Sequence, residues 1–228
     1  MSEWWTYTLA DFLMFSPRTY WRLFELYNVA IWPAQLVGVA FGLALVALIH
    51  GNRAHRDRII AGLIAACWLW IAWAFHTQRY AQINWAATWF AVAFALQAAL
   101  LVTLGVLAGR IVFETANVRA RRIASMVIIL AVLGYPLLAP LAGRPWSTAE
   151  VFGVAPDPTA IVTVAVMALV RGRLRWLLLA VPLSWCAIAA VTLWVMEAPQ
   201  ATVVAAATLL ALWPAARGVR GGTPAAPR

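Results

Sequence analysis

The sequence predicts an all-α membrane protein: a bundle of about seven transmembrane helices preceded by an amphipathic interfacial helix. Three observations carry that expectation. Hydrophobic residues make up 64% of the 228-residue chain and charged residues only 11%, whereas a soluble domain has about 45–50% and about 25%. A water-surrounded core cannot hide that excess. The apolar residues fall into seven runs, with short arginine clusters between them. Clusters of that kind suit loops facing anionic lipid, and they argue against nucleic acid as a partner.

The first 28 residues read as an N-terminal interfacial segment. "SEWWTYTLADFLMF" carries Trp4, Trp5 and Tyr7, residues suited to the headgroup layer. In "SPRTYWRLFELYN", Ser16 is a good helix N-cap and Pro17 suits the first helical position. On a helix, Arg18, Arg22 and Glu25 share one face, and Tyr20, Leu23, Phe24 and Tyr27 share another. Glu3 near the start and the lack of a basic n-region or cleavage site speak against a secretory signal. The segment is expected to anchor the chain or to form a lid over the outer mouth of the bundle.

Residues 29–216 are expected to form the transmembrane domain. The runs are Val29–Ile49, Ile59–Phe75, Trp85–Leu107, Ile123–Leu141, Val154–Val170, Trp176–Val195 and Ala201–Ala216. A span needs about 20 apolar residues. The second run is at the short limit. Pro156 and Pro158 open the fifth, and Pro214 interrupts the seventh.

Arginine placement tests the doubtful runs. With seven crossings, one side collects Arg53, Arg56 and Arg58, then Arg110, Arg119, Arg121 and Arg122, then Arg171, Arg173 and Arg175, then Arg217, Arg220 and Arg228. The other side keeps only Arg18, Arg22, Arg79 and Arg144, a split of 13 against 4. If the fifth run does not cross, the split falls to 7 against 10. The positive-inside rule therefore prefers seven crossings, with the N-terminus outside, the C-terminus cytoplasmic and residues 217–228 a disordered tail. Six of the eight acids, Glu150 and Asp157 among them, then fall outside. The all-arginine basic complement points to a GC-rich genome and so to a bacterium.

Smaller signals concern packing. Gly38 and Gly42, and Gly105 and Gly109, lie four apart and permit close helix approach. Pro33, Pro136, Pro140 and Pro182 are expected to kink or break their helices. Cys67 and Cys186 fit no metal spacing and read as small buried side chains.

No nucleotide, metalloprotease or nucleophile-elbow motif is present, and no metal site or cofactor is expected. Activity as an enzyme is not expected either, because no paired acids or activated nucleophile stand out. The richest polar cluster, "FHTQRYAQINWAATW", holds His76, Gln78, Arg79, Tyr80, Gln82 and Asn84, and the N-terminal helix offers Arg18, Arg22, Glu25 and Asn28. If the two segments meet, they form a polar, aromatic-walled pocket in which Arg79 pairs with Glu25 and His76 titrates near neutrality. Gln35 and Gln97 extend the candidate set into the bundle, Gln97 as helix–helix glue or as a ligand contact. Partners are the lipid bilayer, a small molecule or lipid and, on an alternative reading as an accessory subunit, another membrane protein.

"WWTYTLADFLMFSPRTYWRLFELYN", "WPAQ" and "INWAATWFA" resemble a family of uncharacterised bacterial multi-pass membrane proteins. The resemblance covers most of the chain. It implies an integral inner-membrane protein of unknown function, sometimes labelled a permease, with no site residues to carry over.

Overall fold

The structure is a computed structural model that describes residues 13–52, 54–113 and 117–218, the last two by backbone alone. The "SEWW" stretch and the tail beyond 218 lie outside the described residues. Everything regular is helical among the described residues, apart from a single β-bridge between Phe113 and Val170.

Helix α1 spans Pro17–Ile31. Ser16 caps it by accepting a hydrogen bond from the Thr19 amide at 3.2 Å, and Pro17 opens it. Its buried residues are Tyr20, Leu23, Phe24 and Tyr27, the aromatic face that the spacing predicts. The chain then bends by 90° into α2, Ala34–His50. Pro33 cannot continue a helix, so α1 ends at Ile31 and takes the first residues of the expected first span. Helix α3, Arg56–Trp70, continues as a π-helical segment, Ile71–Thr77. Helix α4, Ala87–Leu100, continues likewise through Leu101–Leu107. Helix α5, Val118–Ile129, runs through a π segment, Leu130–Gly134, and a tight turn at Pro136 into a short α6, Leu138–Leu141. Then come α7, Pro156–Met167, α8, Leu174–Val195, and α9, Gln200–Gly218.

After the α1–α2 bend, short connections turn the chain back on itself between most successive helices. At one end, Arg171 N–H donates to the Val112 carbonyl and the Phe113–Val170 bridge closes α4 onto α7. At the other end, Asn28 of α1 donates to the Ser147 and Ala149 carbonyls. Helix α7 lies at the centre: every residue from Phe152 to Val170 is buried. Gly38 of α2 sits against the Phe152 carbonyl, so closely that a Cβ there would overlap it. Gly105 packs on Ala61 and Ile111 in the same way, so these glycines serve contacts within the bundle. Both cysteines are free and buried.

Four helical stretches are long and apolar enough to cross a membrane: Arg56–Gln82, Ala87–Leu107, Val118–Leu141 and Leu174–Val195. The bent α1–α2 pair raises the number to five. This corrects the expectation of seven. The fifth run forms a 12-residue α-helix because Pro156 and Pro158 delay its start, and the seventh forms a short apolar helix between Gln200 and Ala216.

Candidate functional site

The end of the bundle under α1 holds the polar chemistry. Tyr27 fixes α1 there: its hydroxyl donates to the Val154 carbonyl at 2.9 Å and accepts from Trp70 Nε1 at 3.0 Å. Asn28 Nδ2 donates to both Ser147 and Ala149 carbonyls at 2.8 Å, and Gln35 Nε2 donates to the Asn28 carbonyl at 2.8 Å. Together these bonds hold α1 as a roof over the link that enters α7.

Beside the roof lies an open groove of about 750 Å³. Its walls are α1, the turn after α3 and the segment before α7. Arg18, Arg22, Arg79 and Arg144 line it, against one carboxylate, Glu25. Glu25 pairs with Arg22 at 2.7 Å on a solvent-exposed helix face. The expected pairing of Glu25 with Arg79 therefore gives way to an i, i+3 pair on one helix, where the partner is always within reach. Arg144 stacks over Trp21, its guanidinium carbon 3.4 Å from the ring centre. The Arg144 Nη1 atom is buried without a hydrogen-bond partner.

Beneath the groove are two carboxyl groups that the arginine-based topology assigned to the outer side of the membrane. Glu150 is 4% exposed and Asp157 1% exposed. Asp157 stands in the first turn of α7, where the helix dipole favours negative charge. Trp185 Nε1 donates to its Oδ1 at 2.8 Å, and the Tyr135 hydroxyl donates to its Oδ2 at 3.4 Å. Glu150 Oε2 is buried with no partner. Burial drives the Glu150 carboxyl well above the usual carboxylate range, and the negative charge of Asp157 adds to this; Arg144 opposes it. Burial also pulls the Arg144 guanidinium below its usual value, with Glu150 acting the other way. Two buried carboxyl groups thus lie within electrostatic reach of each other, where no paired acids stood out in the sequence.

Residues 18–220 match the model of a family of unknown function, DUF6064. The chain belongs to that family. No curated protein and no solved structure matches it. The DUF6064 match begins inside α1, so the matched stretch takes in the roof and the groove.

The other candidate residues of this DUF6064 chain lie apart from the groove. His76 does not face it: the ring is fully buried, 4.5 Å from Phe94 and 5.0 Å from Trp185 between ring centres, and neither nitrogen has a partner. It sits behind the same indole that donates to Asp157. Tyr80 is buried among Phe75, Tyr20 and Phe90. Asn84 holds the turn before α4 by accepting from the Ala86 amide at 3.0 Å. Gln97 donates from Nε2 to the Leu178 carbonyl at 3.1 Å. In α8 that carbonyl would normally bond the amide four residues on, but residue 182 is proline and has none. Gln97 therefore satisfies a carbonyl that Pro182 leaves open, which is the helix-glue role. Among the described residues, no group of three or more His, Cys, Asp or Glu is placed to hold a metal.

Two of the π-helical segments end at this site. Ile71–Thr77 carries His76, and Leu130–Gly134 delivers Tyr135. A π turn changes which face a following residue presents, and such turns recur at functional sites.

Proposed function

We propose that the chain is a multi-pass protein of a bacterial inner membrane that binds a small anion, or the anionic headgroup of a lipid, in the groove beside α1. The observation that carries the reading is the groove's charge: four guanidinium groups against one carboxylate in a single recess. Guanidinium forks match phosphate, sulfate and carboxylate geometry.

The surface supports the membrane setting. Trp32, Trp85, Trp89, Trp146 and Trp194 are each more than 60% exposed. By the alternation of helix directions all five lie at the α1 end, the arrangement of an interfacial aromatic belt. Large exposed leucines and valines cover the long helices below them. The gathering of arginines at the end of the bundle away from α1 supports a reading with the α1 end outside and the C-terminus in the cytoplasm. The wholly buried α7 fills the centre of the bundle, which favours binding at one end over passage through the middle.

The test uses detergent-solubilised protein and two probes, sulfate and dihexanoylphosphatidylglycerol, followed by calorimetry. Binding of both with similar affinity assigns a free anion; a much tighter lipid assigns a headgroup. Arg18→Gln and Arg79→Gln each weaken either probe about tenfold, the loss expected for a charged hydrogen bond of about 1.5 kcal/mol. Failure of both probes to bind defeats the reading.

A further inference from the structure

We infer that Glu150 is the proton-binding site of the groove: an anion seated against Arg144 and a proton on Glu150 bind together. The inference rests on the anion-binding reading and adds its regulation.

The geometry places Arg144 between two claims. It lines the groove and stacks on Trp21, and it is also the cation that acts on Glu150. The groups around the acid pair come from every neighbouring element. They are Tyr20 on α1, Tyr80 on the turn before α4, Tyr135 at the end of α5, Asp157 on α7 and Cys186 on α8. His76 stands one ring further back, behind Trp185. Among these groups Arg144 is the single cation. One half-buried guanidinium thus serves buried Glu150 and, when the groove is filled, the ligand as well.

The hydrogen bonds decide which acid carries the proton. Asp157 accepts from an indole and a phenol and sits at a helix N-terminus, all of which favour its ionised form. Glu150 has a buried oxygen without any donor. A neutral carboxylic acid there needs less solvation than a carboxylate. When an anion occupies the groove, its charge repels a carboxylate at Glu150 and draws on the field of Arg144. Both effects favour the proton. Linkage is reciprocal, so a proton on Glu150 tightens anion binding by the same factor.

The experiment measures the affinity of sulfate and dihexanoylphosphatidylglycerol between about pH 5 and about pH 9, a range in which neither probe changes charge. Affinity is expected to tighten roughly tenfold toward the acid end, the size of effect one charge about 12 Å away produces at an effective dielectric constant near 20. Calorimetry in buffers of different ionisation enthalpy reads proton uptake on binding directly, on the unmodified protein. Glu150→Gln, which mimics the protonated acid, binds with the tight affinity and a flat pH profile. Anion binding without proton uptake, or a pH profile unchanged in E150Q, overturns the inference and leaves the groove reading intact. No binding of either probe at any pH removes both.

Discussion

Gln97 and Pro182 provide a sharp test of how the bundle satisfies its backbone. Pro182 removes the amide that would bond the Leu178 carbonyl, and Gln97 of α4 supplies a donor at 3.1 Å instead. Leu178 is fully buried, so water does not substitute. The single variant Gln97→Leu is ambiguous. It opens the carbonyl, at about 1–3 kcal/mol, yet it also deletes the amide oxygen of Gln97, which is buried without a partner. A double-mutant cycle cancels the second effect because it appears on both legs. In the Pro182→Ala background the helix amide is restored and bonds Leu178 itself, so Gln97→Leu opens nothing. The expected coupling between the two substitutions is about 1–2 kcal/mol, read from reversible unfolding in mixed detergent micelles. Coupling below about 0.5 kcal/mol, the ordinary scatter of additivity, refutes the assignment.

Three further outcomes are expected. Tyr27→Phe keeps the ring but leaves the Val154 carbonyl and Trp70 Nε1 without their shared hydroxyl; it lowers unfolding stability by about 2–4 kcal/mol and weakens sulfate binding, because the roof that forms the groove wall loosens. Gly38→Ala drives a methyl group into the Phe152 carbonyl; helix thermal denaturation followed by circular dichroism should report a loss of about 1–3 kcal/mol or more. In whole cells, a maleimide that does not cross membranes labels Trp146→Cys, which is exposed beside α1, and labels Arg119→Cys only after permeabilisation; the native Cys67 and Cys186 are buried and stay silent.

Helix α1 was the most legible element. The Ser16-Pro17 start and the 20, 23, 24, 27 spacing are local signals, and local signals survive folding. One wall of the groove was legible for the same reason, since Arg18, Arg22 and Glu25 share a helix face by spacing alone. Arg144 was not. In the sequence it counts as a topology marker, and only folding lays it on Trp21. The acid pair was the least legible feature. Glu150 and Asp157 stand seven residues apart in "EVFGVAPD", where glycine and proline punctuate the opening of the doubtful fifth run. Their burial depends on Tyr135 and Trp185, which arrive from α5 and α8. Runs that are apolar on every side carry no periodic signal of which residue faces which neighbour. Sequence spacing therefore cannot aim those two donors.

The shortness of α7 is what places the acid pair at depth. Its 12 residues extend about 18 Å at 1.5 Å each, far less than a hydrocarbon layer of about 30 Å. That length requirement applies to a helix surface that meets lipid. Helix α7 presents none, since α3, α5, α8 and α9 pack on it and every residue from Phe152 to Val170 is buried. Its ends are free to leave helical geometry provided their backbone groups find protein partners. They do: the Gly153 amide donates to Thr159 Oγ1, the Ala155 amide to the Val151 carbonyl, and the Arg171 amide to the Val112 carbonyl. A longer α7 would carry its first turn to the surface and expose Asp157 to water. The truncated helix instead starts below the level of α1, so its first-turn carboxylate is covered by the roof and must draw its hydrogen bonds from Trp185 and Tyr135. The two prolines that spoil the fifth run as a membrane span thus also create the buried carboxyl chemistry beneath the groove.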